Sequence, residues 1–177
     1  ALLNYFGHSA ATALDYNLND PNQFSNAGKY PVFIVNGCNA GNIYSYDTSR
    51  LSLITSLSEK YVFAKDLGSI AFIASSHFGV ESYLDIYNTG FYNSLSSTSG
   101  YNMPVTVNMK DASVYLVNSS SDSITRYQHA EQNVLHGDPA LKINAFAKPD
   151  FAVEDSKVFV DPTFISVANN TFNVKAY

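Results

Sequence analysis

Short apolar runs alternate with amphipathic stripes along most of this chain. Leu2-Leu3-Asn4-Tyr5-Phe6 and Val32-Phe33-Ile34-Val35 are too short for buried helices, and the second is rich in β-branched residues. The first predicts a strand and the second an interior strand. Gly68-Ser69-Ile70-Ala71-Phe72-Ile73-Ala74 predicts a third, in which small Ala71 and Ala74 let a helix pack closely. Before it, Ser56-Leu57-Ser58-Glu59 has the capping-box pattern, so a helix should run from there to Asp66 and end at Leu67-Gly68. Leu84, Tyr87, Phe91 and Leu95 recur at helical spacing, and so do Val105, Met109, Ala112 and Leu116. Residues 123–134 read as a last helix, Gly137-Asp138-Pro139 as a turn, and 140–143 as a short strand.

The period changes after Lys148-Pro149. Lys157-Val158-Phe159-Val160 and Phe172-Asn173-Val174-Lys175 alternate with the two-residue period of strands, and Ile165-Ser166-Val167 reads as another. The chain therefore divides into an α/β domain over 1–147 and the opening strands of an all-β, immunoglobulin-like domain over 148–177. Such a sandwich needs roughly seven strands, more than the last segment holds. Ala1 opens directly into a strand, and the first sheet has fewer strands than its type requires. The expectation is a fragment or a processed product that packs against an N-terminal segment outside this sequence.

The strand ends carry the candidate chemistry. The first run stops at Gly7-His8, the second at Asn36-Gly37-Cys38. If the two strands are parallel neighbours, a thiol and an imidazole arrive together at the carboxyl edge, where open α/β sheets bind ligands. The thirty residues from His8 to Cys38 suit one crossover, and polar residues 9–29 supply it. The third strand ends at Ser75-Ser76-His77-Phe78-Gly79-Val80-Glu81 and should reach the same edge. Residues 39–51, with Tyr44, Tyr46 and Asp47, would overhang the cysteine.

Composition narrows the function. Of 177 residues only 14% are charged, below the roughly 25% of ordinary soluble domains, and 13 are Tyr. The surface is rich in hydroxyls and amides, as in exported proteins. A net charge of −5 with no Lys/Arg cluster argues against nucleic acid as a partner. One cysteine allows neither an internal disulfide nor a zinc cluster. No metal or other cofactor is expected. No run approaches the ~20 apolar residues of a membrane span.

A lone cysteine is most often a buried structural thiol. A strand-ending Cys38 matched by a strand-ending His8 instead has the minimum set for nucleophilic thiol chemistry. Glu59 fits a helix cap, and His129 and His136 fit structural roles. Asn118-Ser119-Ser120 and Asn169-Asn170-Thr171 match the glycosylation acceptor pattern but read as ordinary loop residues.

Four segments in order, NYFGHS, PVFIVNGCNAG, SLSEKYVFAKDLGSIAFIASS and VLHGDPALKI, resemble the gingipain-like cysteine peptidases of family C25. The resemblance covers roughly residues 2 to 145. It implies a caspase-like α-β-α sandwich with a mostly parallel sheet, of which this would be the C-terminal part, often followed by an immunoglobulin-like domain. It implies Cys38 as nucleophile, His8 as general acid–base, and the backbone N–H groups of Cys38 and Ser9 as the oxyanion hole. Ser9 stands where relatives usually have Gly. The acid that orients the histidine in relatives lies upstream of this sequence. His77, Phe78 and Glu81 would line the pocket for the side chain before the cut bond, Glu81 favouring Lys or Arg. The substrate would be a protein or peptide, met outside a bacterial cell or at its surface. Two alternatives keep the fold: a processing or sorting peptidase of a secretion pathway, and a non-catalytic surface binding relative using Tyr-rich loops.

Overall fold

A computed structural model describes residues 1–16, 18, 20–45, 48, 53–119, 123–144, 146, 155–161 and 173–176. The chain falls into two compact units, Ala1–Ala145 and Phe146–Tyr177. In the first, β1 (Leu2–Phe6), β2 (Val32–Asn36), β3 (Ala71–Ser75) and β4 (Asn133–Gly137) form one sheet in that order. The first three are parallel, and β4 runs antiparallel to β3. Every β1 residue pairs with the β2 residue thirty positions on, from Leu2 with Val32 to Phe6 with Asn36.

Both faces of the sheet are covered, which explains why β2 and β3 are buried at every position. On one face Val32, Ile34, Ala71 and Ile73 pack against Tyr87 and Phe91 of α2 (Glu81–Ser96) and Val105, Ala112 and Leu116 of α3 (Val105–Ser119). Ala130 of α4 (Ser123–Gln132) joins them. On the other face Phe33, Val35, Phe72 and Ala74 meet Leu57 and Tyr61 of α1 (Leu57–Phe63). The rings of Phe33, Tyr61 and Phe72 stack edge-on or tilted, with centroids 5.0 to 5.7 Å apart. Each such buried side chain contributes about 1.5–3 kcal/mol. The Tyr61 hydroxyl donates to Leu18 O at 2.8 Å; burial first, then Asp20, pushes its pKa up to about 12.

The capping box acts as predicted at the start of α1. The Ser56 hydroxyl accepts from the Glu59 N–H at 3.4 Å and donates to the Glu59 carboxylate. The helix stops at Phe63, short of Asp66, because the chain turns through left-handed Asp66 (φ 59°) and Gly68 (φ 73°). The larger departure is β4. Residues 123–134 were expected as one helix, but α4 ends at Gln132 and the chain passes directly into β4. Residues 140–143 form no strand; Lys142 makes only an isolated bridge with Pro104. The fourth sheet position was already taken by residues 133–137, whose Leu135 packs on the α2–α3 side. Asn118 lies in the last turn of α3 rather than in a loop; residues 169–171 fall outside the described residues.

In the second unit β5 (Val158–Asp161) and β6 (Asn173–Ala176) pair antiparallel, as their two-residue period predicts. Lys175 Nζ lies 2.6 Å from Asp161 Oδ2 across the pair. Residues 165–167, read as a further strand, lie outside the described residues.

Candidate active site

The parallel arrangement of β1, β2 and β3 sends three strand ends to one edge of the sheet. Gly7-His8, Gly37-Cys38 and Ser76-His77 follow them directly. The ladder continues one step beyond the strands, where the Gly7 N–H donates to Asn36 O at 3.1 Å. His8 and Cys38 thus keep the thirty-residue offset of the paired strands. With Glu81, they line one cleft of about 280 Å³, with Phe6, Asn36 and Leu84 in its walls.

Gly37 is needed for space rather than for a left-handed turn. A Cβ there would lie 2.2 Å from Ser9 Oγ and 2.5 Å from Gly7 O. The left-handed residue is Asn39 (φ 57°), a conformation asparagine tolerates. That turn brings the Asn39 N–H to His77 O at 2.8 Å, tying the cysteine loop to the end of β3. Ser9 donates its hydroxyl to Cys38 O at 2.7 Å. Its side chain therefore joins the histidine loop to the cysteine loop.

The Cys38 thiol is free and half-buried. The Gly79 N–H donates to its sulfur at 3.3 Å, and the sulfur lies 3.6 Å from Gly79 O. His8 is exposed, and its backbone is anchored: its carbonyl accepts from the Tyr5 hydroxyl at 2.7 Å and the Asp15 N–H at 3.0 Å. The Ser9–Leu14 bridge is carried by its neighbours, Ala10 N–H to Ala13 O and Asp15 N–H to His8 O. Among the described residues, the N–H groups of Ser9 and Cys38 donate to no protein acceptor.

Below the cleft lies an amide network that sequence reading missed. Buried Asn36 Nδ2 donates to Asn4 Oδ1 at 2.8 Å and Asn88 Oδ1 at 3.3 Å. Asn4 Nδ2 donates to Asn88 Oδ1 at 3.0 Å and to the Tyr92 hydroxyl at 3.1 Å. It locks β1, β2 and α2 together near the strand ends that carry His8 and Cys38. The two-residue offset from Asn4 to Phe6, and the thirty-residue match of Asn4's neighbours to β2, are its only trace in the sequence.

His77 and Phe78 are placed differently from Glu81. They line a neighbouring cavity of about 570 Å³ against α4, together with Val80, Gln128, His129 and Gln132. Their rings meet edge-on at 5.0 Å. His129, read as structural, is buried there, and its Nε2 accepts from the Val80 N–H at 2.8 Å. Tyr44 is exposed, and Tyr46 and Asp47 lie outside the described residues. Two further groups, Tyr87 and His136, have pKa values displaced by burial. Burial pushes Tyr87 up, and burial lowers His136 against an opposing pull from Glu59. Among the described residues, no three His, Cys, Asp or Glu side chains come together as a metal site. No described helix is long and apolar enough to cross a membrane.

The sequence model of peptidase family C25 matches residues 1–144. The chain belongs to peptidase family C25. Among solved structures, this C25 chain is similar to the Arg-specific cysteine proteinase gingipain R (RgpB), at 16% identity and a TM-score of 0.67. That match covers 90% of this chain and 39% of the gingipain chain. A complex of Porphyromonas gingivalis RgpB pro- and mature domains matches at 19% identity and a TM-score of 0.63, covering 80% of this chain and 33% of that one. A further structure, titled only as a protease, matches at 17% identity and 0.63, covering 89% and 40%. These likenesses carry the fold: a mixed α/β unit with a mostly parallel sheet, as in gingipains. The chain spans about two fifths or less of the length of these structures. No curated protein matches it significantly.

Proposed function

We propose that this C25 chain hydrolyses peptide bonds through Cys38 and His8, as an endopeptidase acting outside the cell or at its surface. The observation that carries the reading is the shared cleft: a half-buried thiol and an exposed imidazole at adjacent parallel strand ends. Cys38 Sγ attacks the scissile carbonyl, and His8 takes the thiol proton and delivers it to the leaving amine. Water then hydrolyses the thioester and restores the thiol. The unused N–H groups of Ser9 and Cys38 are suited to hold the oxyanion, in the manner that removes several kcal/mol from such barriers. Ser9 supports that role without its side chain, which is engaged on Cys38 O. Glu81 is the acidic side chain in the cleft wall and would favour Lys or Arg before the cut bond. His77 and Phe78 would bound the same substrate from the neighbouring cavity. Export draws support from the low charge content alone. We read residues 148–177, which include the β5–β6 pair, as the beginning of an immunoglobulin-like domain.

The test is labelling of the full-length protein by a peptidyl acyloxymethyl ketone carrying Lys or Arg. Labelling at Cys38, abolished in Cys38→Ala and strongly reduced in His8→Ala, is the expected result. A thiol open to small alkylating agents but inert to peptidyl electrophiles of every side chain would overturn the peptidase reading. That outcome would favour a binding role, for which exposed Tyr44 beside the cleft loop is a suitable contact.

A further inference from the structure

The loop that touches the thiol is held from outside the cleft. Residues 76–80 join β3 to α2 without regular structure. Three of the hydrogen bonds that fix them come from the last turn of α4. Ser76 N–H donates to Gln132 O at 2.8 Å, Gln132 Nε2 donates to Phe78 O at 3.1 Å, and Val80 N–H donates to His129 Nε2 at 2.8 Å.

His129 is built to accept that last bond. Its ring is 4% exposed, its Nδ1 lies 2.8 Å from Thr125 O, and the Tyr83 ring is 5.0 Å away. A carbonyl can only accept, so Nδ1 carries the proton and Nε2 is left as an acceptor. Val80 is the cap position of α2 and has no capping side chain of its own. The preceding residue is Gly79, whose backbone would otherwise turn freely. With Val80 fixed on one side and His77 O held by Asn39 N–H on the other, the Gly79 N–H points at Cys38 Sγ.

We infer that the last turn of α4, through His129 with Gln132 beside it, is a positioning element for Cys38. It aims the Gly79 N–H at the sulfur and so holds the sulfur in place in the cleft. Its consequence for peptide hydrolysis rests on the proposed role of Cys38; its effect on the thiol does not. A hydrogen bond to a charged acceptor is among the stronger ones, so losing its alignment should slow reaction of the sulfur about tenfold.

The experiment measures alkylation of Cys38 by iodoacetamide in the full chain, where it is the sole cysteine. Variants are His129→Leu, His129→Gln and Gln132→Ala, each with a thermal melt and peptide turnover. His129→Leu should slow alkylation about tenfold. His129→Gln, whose amide oxygen can accept from the Val80 N–H, should recover most of the rate. Turnover should fall in kcat with KM unchanged. His129→Leu at the parent rate, or His129→Gln as slow as His129→Leu, would overturn the inference. Should His129→Leu not fold, Gln132→Ala decides, because it removes only an exposed donor to Phe78 O. A severalfold slowing supports the clamp, and an unchanged rate overturns it. If the parent chain turns over no peptide yet shows this alkylation pattern, the peptidase reading fails and the clamp stands.

Discussion

Replacing Gly37 with alanine measures how closely the ends of β1 and β2 must approach. The added methyl would sit 2.2 Å from Ser9 Oγ and 2.5 Å from Gly7 O. Carbon and oxygen make ordinary close contacts at about 3.3 Å or more. The Ser9 hydroxyl can swing away only by giving up its bond to Cys38 O. Gly7 O is backbone and cannot rotate, so the ends of β1 and β2 must part by roughly 1 Å. Such overpacking costs about 1–3 kcal/mol, and the lost Ser9 bond adds about 1 kcal/mol. For a chain of this size the melting temperature should fall on the order of 10 °C. Reactivity should suffer more, because a ~1 Å misplacement can cost about a hundredfold in rate. Calorimetry and peptidyl-electrophile labelling read the two effects separately. Adding Ser9→Gly should restore part of the melting temperature and little of the labelling rate. Parent stability and parent labelling in Gly37→Ala would refute the close approach, as would complete recovery with Ser9→Gly.

Three further outcomes follow from the packing. The Tyr87 hydroxyl is buried without a hydrogen-bond partner, so Tyr87→Phe should raise stability by about 1 kcal/mol in denaturant titration; a loss would reveal a partner for it. Ser56→Ala removes the cap of α1 and should cost about 1 kcal/mol by the same measurement, and no change would mean the cap is idle. Burial holds the His136 imidazole below its ordinary range, so the unfolded chain takes up a proton that the folded one resists. Its contribution to stability is complete above about pH 6.5 and declines as pH falls below that value, levelling once the folded imidazole also protonates. His136→Gln should therefore flatten the dependence of the urea midpoint between pH 7 and 5, and an unchanged slope would contradict the burial effect.

The three parallel strands were readable because each is an apolar run closed by a small residue; β2 and β3, buried at every position, could be little else, while β1 is a partly exposed edge strand. α1 was readable from Ser56 and Glu59, whose side chains cap one another. β4 was hidden because no Gly or Pro stands between α4 and β4, so nothing in the sequence marks where the helix gives way to the strand. The apolar residues at 140–143 then attracted the strand that belonged seven residues earlier. The same limits apply at the site. Topology placed His8 and Cys38 at one edge, but it could not tell which side of the β3 end His77 and Phe78 would take. The contact that decides this, His129 with Val80, spans 49 positions and leaves no periodic mark. Asn36 looked like a turn residue beside Gly37, yet its amide closes a network with Asn4 and Asn88.

The constant offset between β1 and β2 has a consequence for how this unit tolerates change in chain length. Insertions or deletions in the polar connection around Gly28, where an added side chain meets nothing within 4 Å, leave every rung of the ladder in place. Lengthening such a surface loop is cheap, about 0.6 kcal/mol for each doubling. Inside either strand a single-residue slip is of another order. It would turn each side chain to the opposite face of the sheet and move His8 and Cys38 out of step. Related chains should therefore vary freely in the length of this connection while holding both strands to five residues, and the connection is where a tag, a reporter or a new chain terminus should be introduced.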